Sequence, residues 1–138
     1  MRPFTEKRVC PRFGVPGAAI SYGKIKAFGR RTGLLENSCM VVDLSRGGIR
    51  FLTRESPTLG AKLFLELALP GNNDPVCFTG TVRWMGEYPG EKYHYSVGVQ
   101  FHPYGDGKKF NSAENLDRII DLENKFLAEE AAKEVKRE

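Results

Sequence analysis

Apolar and polar residues alternate along most of this chain, with the two-residue period of a strand that buries one face. Leu63, Leu65, Leu67 and Leu69 alternate with Lys62, Phe64, Glu66 and Ala68, and Val76, Phe78, Gly80, Val82 and Trp84 repeat at the same spacing. Residues 18–28, 39–44, 49–53 and 94–101 fit the same template, the last with Tyr95, Val97, Val99 and Phe101 on one face. Turn-forming clusters separate the runs, among them Pro70-Gly71-Asn72-Asn73-Asp74-Pro75 and Glu87-Tyr88-Pro89-Gly90. The pattern predicts about six antiparallel strands. Six short strands on one core favour a closed barrel, since closure removes the unpaired edges of an open sheet. Trp84 and the alternating leucines are read as core.

The period changes from Ser112 onward, where Leu116, Ile119, Ile120, Glu123, Phe126 and Leu127 fall at helical spacing. Asn111, with Glu114 three residues later, has the form of a capping box. One amphipathic helix is expected, its apolar stripe covering a barrel opening, while residues 128–138 lose the stripe and project into solvent or fray. A helix that docks a partner is the sharper alternative. The expected fold is therefore mainly β, a six-stranded antiparallel β-barrel with a C-terminal α-helix. Residues 1–138 form one domain: a basic N-terminal arm over 1–17, the barrel over 18–104 and the helix over 111–138.

Composition narrows the function more than the fold. A chain of 138 residues, 41% hydrophobic, can bury one modest core. No apolar run approaches the roughly 20 residues of a membrane helix, and Met1-Arg2-Pro3-Phe4-Thr5-Glu6-Lys7 lacks a signal peptide's apolar stretch, so a cytoplasmic protein is expected. Cys10, Cys39 and Cys77 form no CxxC pair, which argues against a disulfide framework and a thiolate zinc site. His94 and His102 have no partners at ligand spacing, and no Ser-His-Asp constellation can be assembled. Neither catalysis nor a cofactor is expected. Charge is distributed unevenly: residues 1–31 hold eight Lys or Arg against one acid, and the remainder holds thirteen against sixteen. An anionic partner at the N-terminal end would account for this, as would a merely solvated basic face.

Two short motifs carry the candidate chemistry. In Arg8-Val9-Cys10-Pro11-Arg12, the proline disfavours helix at Cys10, so the two arginines sit on an extended or looping segment. A guanidinium pairs bidentately with phosphate oxygens or with guanine O6 and N7, and its face stacks on a base. The spacing is unspecific, since Arg46/Arg50 and Arg50/Arg54 repeat it. Asp43-Leu44-Ser45-Arg46-Gly47-Gly48 lies between two expected strands and reads as a hairpin connection. A carboxylate there can accept from guanine N1-H and N2-H, a hydroxyl can donate to phosphate or base, and glycines allow close backbone approach. Taken alone, the same residues make an Asx turn with glycines at positive φ.

The two motifs occur together and in order, and in this the chain resembles the PilZ domain family, whose members bind cyclic di-GMP. That family combines RxxxR on an N-terminal loop with [D/N]xSxxG on the barrel, and Arg8, Arg12, Asp43, Ser45 and Gly48 fill every position. Pro11-Arg12-Phe13, Gly48-Ile49-Arg50-Phe51, Leu59-Gly60, Gly80-Thr81-Val82-Arg83-Trp84 and Tyr95-Ser96-Val97-Gly98-Val99-Gln100-Phe101 match its strands over about residues 6–104. The resemblance implies a six-stranded barrel and a cyclic di-GMP receptor without enzymatic activity. Arg8 and Arg12 would clamp phosphates and guanine faces, Asp43, Ser45 and Gly48 would lie beneath, and Lys7, Arg46 and Gly47 would contribute at the margin. A downstream protein partner is implied, and nucleic acid is not expected. The competing classes are a β-barrel that binds single-stranded nucleic acid and a protein-interaction module that ignores nucleotide.

Overall fold

The computed structural model describes residues 11–107 and 110–137. Six strands, β1 (Ala19–Lys24), β2 (Glu36–Ser45), β3 (Gly48–Thr53), β4 (Lys62–Ala68), β5 (Val76–Glu87) and β6 (Tyr95–Phe101), close into an antiparallel barrel in the order β1-β2-β3-β6-β5-β4. One helix, α1 (Ala113–Arg137), follows. The mainly β barrel with its C-terminal helix is as expected. The inward residues of every strand meet inside it: Ile20, Tyr22, Leu44, Ile49, Phe51, Leu63, Leu65, Val82 and Val97 are all buried, and the Phe78 and Phe101 rings stack at 4.5 Å. Apolar burial of this kind, worth about 1.5–3 kcal/mol per large side chain, holds the barrel together. No helix among the described residues is long and apolar enough to cross a membrane.

Strict alternation fails at three places, and each is a one-residue β-bulge. Ile20 pairs with Cys39 and Tyr22 with Glu36, so β2 carries an extra residue there. Ser38 takes it up with φ 56, its N–H donating to Ser21 Oγ at 3.0 Å. The bulge turns both Glu36 and Cys39 into the barrel. A second bulge falls in β2 between Val41 and Asp43, and a third in β5 between Val82 and Trp84. The third overturns the reading of Trp84 as core. Period two would carry the ring inward after Val82, but the extra residue puts it outward, 49% exposed.

Two boundaries also move. The strand expected over 18–28 ends at Lys24, and the strand expected over 39–44 begins earlier, at Glu36. At α1, Ser112 is the cap, since its Oγ accepts the Asn115 N–H at 3.1 Å. Asn111 is instead drawn into the barrel, its amide accepting from Thr79 N and donating to the Thr79 and His102 carbonyls. Ile119 and Glu123 are buried and Leu122 and Phe126 partly so, while Leu127 is exposed and the following turns, through residue 134, lie in solvent.

The inward Glu36 carboxylate is satisfied by Tyr22 Oη at 2.5 Å and by the backbone N–H groups of Arg54 and Glu55 at 2.9 and 3.1 Å. Cys39 Sγ lies 3.6 Å from the same carboxylate. Burial, and after it the Glu36 charge, pushes the Cys39 thiol up to about 12. Since only the thiolate is nucleophilic, Cys39 should resist a disulfide reagent at mild alkaline pH. A Cys10→Ala/Cys77→Ala variant is expected to release no chromophore from Ellman's reagent until denaturant is added; rapid release from the folded variant would contradict the buried setting.

Candidate functional site

The N-terminal segment is tied to the barrel by backbone. Phe13 N–H donates to the Leu44 carbonyl at 2.9 Å and Leu44 N–H to the Phe13 carbonyl at 2.8 Å, which adds a short bridge to β2. The Phe13 ring is buried, with its centroid 5.7 Å from that of Phe126 on α1. This anchor sets Arg12 beside Asp43, Nη1 to Oδ1 at 3.1 Å. The other oxygen of Asp43 holds Arg50 Nη2 at 2.6 Å. Two guanidiniums on one carboxylate leave a net positive charge at the surface. Arg50 Nε is buried without a hydrogen-bond partner, so this side chain keeps unused donor capacity.

The strand register extends this pair into a row. Asp43 of β2 pairs with Arg50 of β3, Arg50 with Gly98 of β6, and Gly98 with Trp84 of β5. Directly opposed residues share a face, and here it is the outer one. Asp43 and Trp84 reach that face because each follows a bulge. At the usual strand spacing the row is roughly 14 Å long. The Trp84 ring lies over glycine: a Cβ on Gly86 would stand 3.0 Å from its Cζ2, and one on Gly98 would stand 3.5 Å from the Trp84 Cβ. The outer wall therefore presents cations and a carboxylate at one end and a flat exposed indole at the other. A planar base could stack on the indole while an attached phosphate meets the arginines.

A model of one family, the PilZ domain, matches residues 24–120, a stretch that holds Asp43, Ser45, Gly48, Arg50 and Trp84. The chain belongs to the PilZ domain family. No curated protein matches it. Among solved structures it is similar to the K. pneumonia MrkH-c-di-GMP complex, at 16% identity and TM-score 0.58, covering 90% of this chain and 54% of that one. It is also similar to K. pneumonia MrkH in a second crystal, at 15% identity and TM-score 0.52, covering 83% and 47%. The third similarity is to the Bacillus subtilis inhibitor of motility MotI/DgrA, at 15% identity and TM-score 0.47, covering 81% and 51%. The chain thus spans about half the length of each of these solved structures.

Within the PilZ barrel the Asp43 to Gly48 motif divides its labour. Asp43 orients two arginines and makes no Asx turn. Ser45 does shape the turn: its buried Oγ accepts the Gly47 N–H at 3.2 Å and lies 3.5 Å from the Gly48 carbonyl. Neither Gly47 nor Gly48 has positive φ, contrary to the turn chemistry considered from sequence. Gly48 is required for space, because a Cβ there would collide with the Val99 carbonyl oxygen on β6. Arg46, at the hairpin tip, is directed to α1: its Nε and Nη2 meet the buried Glu123 carboxylate at 2.9 and 3.3 Å. Tyr104 Oη donates to the Arg46 carbonyl at 2.6 Å.

Arg8 and Lys7 lie outside the described residues. Arg50 and Trp84 are the site residues that sequence reasoning missed. The signal available for Trp84 was the pair Gly86 and Gly98, which leave an outer face open to a large ring. Among the described residues no group of three or more His, Cys, Asp or Glu side chains could hold a metal ion.

Because Gly48 fixes the approach of β3 to β6, Gly48→Ala should lower stability by roughly 1–3 kcal/mol, the usual cost of overpacking. Urea denaturation without nucleotide measures this; an unchanged midpoint would mean that Gly48 acts only through ligand. Removing the partner of buried Glu123 should also cost stability. Arg46→Ala is expected to lower the urea midpoint, and Arg46→Ala/Glu123→Leu to recover part of the loss.

Proposed function

We propose that this PilZ domain is a cyclic di-GMP receptor, a binding module of bacterial second-messenger signalling that acts in the cytoplasm on a downstream protein partner and performs no catalysis. The observation that carries the reading is the register row, in which Arg12, Asp43 and Arg50 face the same way as the exposed indole of Trp84. A cyclic dinucleotide offers both things that such a wall can use, planar purines and anionic phosphates. MrkH, which shares the fold, has been solved in complex with c-di-GMP.

In this reading Arg8 and Arg12, with Lys7, clamp phosphates and guanine faces from the arm. Asp43, Ser45 and Gly48 form the floor, and Gly47 lets the backbone come close. Arg46 contributes by holding the hairpin tip to α1. Asp43 is already engaged by two arginines, so ligand entry first exchanges the Arg12 contact. The Arg12 side of that pair is exposed to solvent, and a surface pair is worth about 0–1 kcal/mol. A charged ligand can displace it at small cost. The Phe13 anchor then confines any rearrangement of the arm to residues before it.

Calorimetric titration with cyclic di-GMP tests the reading. Arg8→Ala, Arg12→Ala and Asp43→Ala should each weaken binding by over about 1 kcal/mol, because each removes a charged hydrogen-bond partner. Trp84→Ala should cost roughly 1–3 kcal/mol, the usual worth of base stacking on an aromatic. Absence of heat with the unaltered protein would sink the proposal. Equal binding of a single-stranded oligonucleotide with steep salt dependence would replace it with nucleic-acid recognition.

A further inference from the structure

The connection from β1 to β2 runs out as a second, smaller hairpin. Thr32 N–H donates to the Lys24 carbonyl at 2.9 Å, Ile25 bridges Arg31, and Lys26 N–H donates to the Arg30 carbonyl at 2.5 Å. Ala27–Gly29 forms the tip as a single 3-10 turn. At its apex Phe28 has φ 61 and ψ 27, a left-handed conformation that any residue with a Cβ adopts at a steric cost. Its ring is also fully exposed. No contact inside the molecule offsets the cost of this backbone conformation, and non-glycine residues held in it cluster at functional surfaces.

The charge around the ring says what kind. Lys24 and Lys26 lie on the outgoing arm and Arg30 and Arg31 on the returning one, and residues 7–35 contain no Asp or Glu. Arg31 lies against the barrel wall, its guanidinium 4.9 Å from the Phe64 ring centroid, so Lys26 and Arg30 flank the tip most closely. We propose that this tip is a membrane-surface contact, in which Phe28 enters the boundary between headgroups and acyl chains of an anionic bilayer and Lys26 and Arg30 meet lipid phosphates. Area separates this from a protein partner. One aromatic ring covers about 150–250 Å², against about 800 Å² per partner in a stable protein interface. A bilayer needs no complementary pocket, and an aromatic wedge with a basic collar binds it reversibly. The tip joins β2 at its Glu36 end, whereas Asp43 and Ser45 lie at the other, so this contact leaves the nucleotide wall open.

Co-sedimentation with vesicles tests the proposal on the 138-residue chain. Vesicles of about three parts phosphatidylcholine to one part phosphatidylglycerol should bind the protein at low salt, and phosphatidylcholine alone should not. Phe28→Ser should weaken binding, and Lys26→Gln/Arg30→Gln should lower the partition coefficient about fivefold per cation removed. Both variants alter exposed residues and should keep the near-UV circular dichroism and the cyclic di-GMP titration of the parent. Failure to bind anionic vesicles overturns the proposal and turns Phe28 toward a protein partner. Binding that both variants retain in full also overturns it, and assigns the contact to the basic arm. Neither result depends on whether nucleotide binds.

Discussion

The candidate site depends on two extra residues, one in β2 and one in β5. A strand in a closed barrel must send alternate side chains inward, and β3 and β6 do so without interruption between Gly48 and Thr53 and between Tyr95 and Phe101. Had β2 and β5 kept the same period, Asp43 and Trp84 would face the core. There a carboxylate would be desolvated, and the indole would compete for space with Phe51 and Val97. The bulges at Val42 and Arg83 spare the core both and deliver them to the outer wall on opposite sides of a straight pair of strands. Twist and bulging are local, but their effect is to align residues of four strands in one outward row.

Around that row the structure is tied together from three directions. Phe13 bridges β2 by backbone and meets Phe126 by its ring. Arg46 reaches from the β2–β3 hairpin to Glu123, and Asn111 joins the start of α1 to Thr79 on β5. Glu123 is 4% exposed, and a carboxylate that deep is tolerated because the bidentate guanidinium neutralises it. Phe13, hairpin and helix therefore form one packed unit beside the candidate site. The hairpin's arginine is part of the scaffold in the same measure as its serine.

The two ends of β2 then serve different surfaces. At the Ser45 end the cations are held by carboxylates, Arg12 and Arg50 by Asp43 and Arg46 by Glu123. At the Glu36 end the carboxylate is turned inward to Tyr22 and to backbone N–H groups, which leaves the neighbouring loop with positive charge and an exposed ring. Paired charges fix geometry, while uncompensated charges project a field. Both arrangements come from one strand because its two bulges rotate its two ends independently.

Much of this was legible in the order of residues. Alternation along β4, β5 and β6, turn clusters and the change of period at Ser112 determined a six-stranded barrel with a terminal helix, since these signals are local and each strand carries its own. The ordered motifs pointed to Asp43, Ser45 and Gly48 before any contact was known. Other features lay beyond the sequence because they are relations between distant residues. The side to which Trp84 turns is decided by a register shift against Val99 and Gly98, and the need for Gly48 by a carbonyl on β6. Arg46 serves α1 because Glu123 arrives seventy-seven residues later. Period and turn chemistry are written in neighbouring residues; register, close approach and ion pairing across the barrel exist only once the chain has closed on itself.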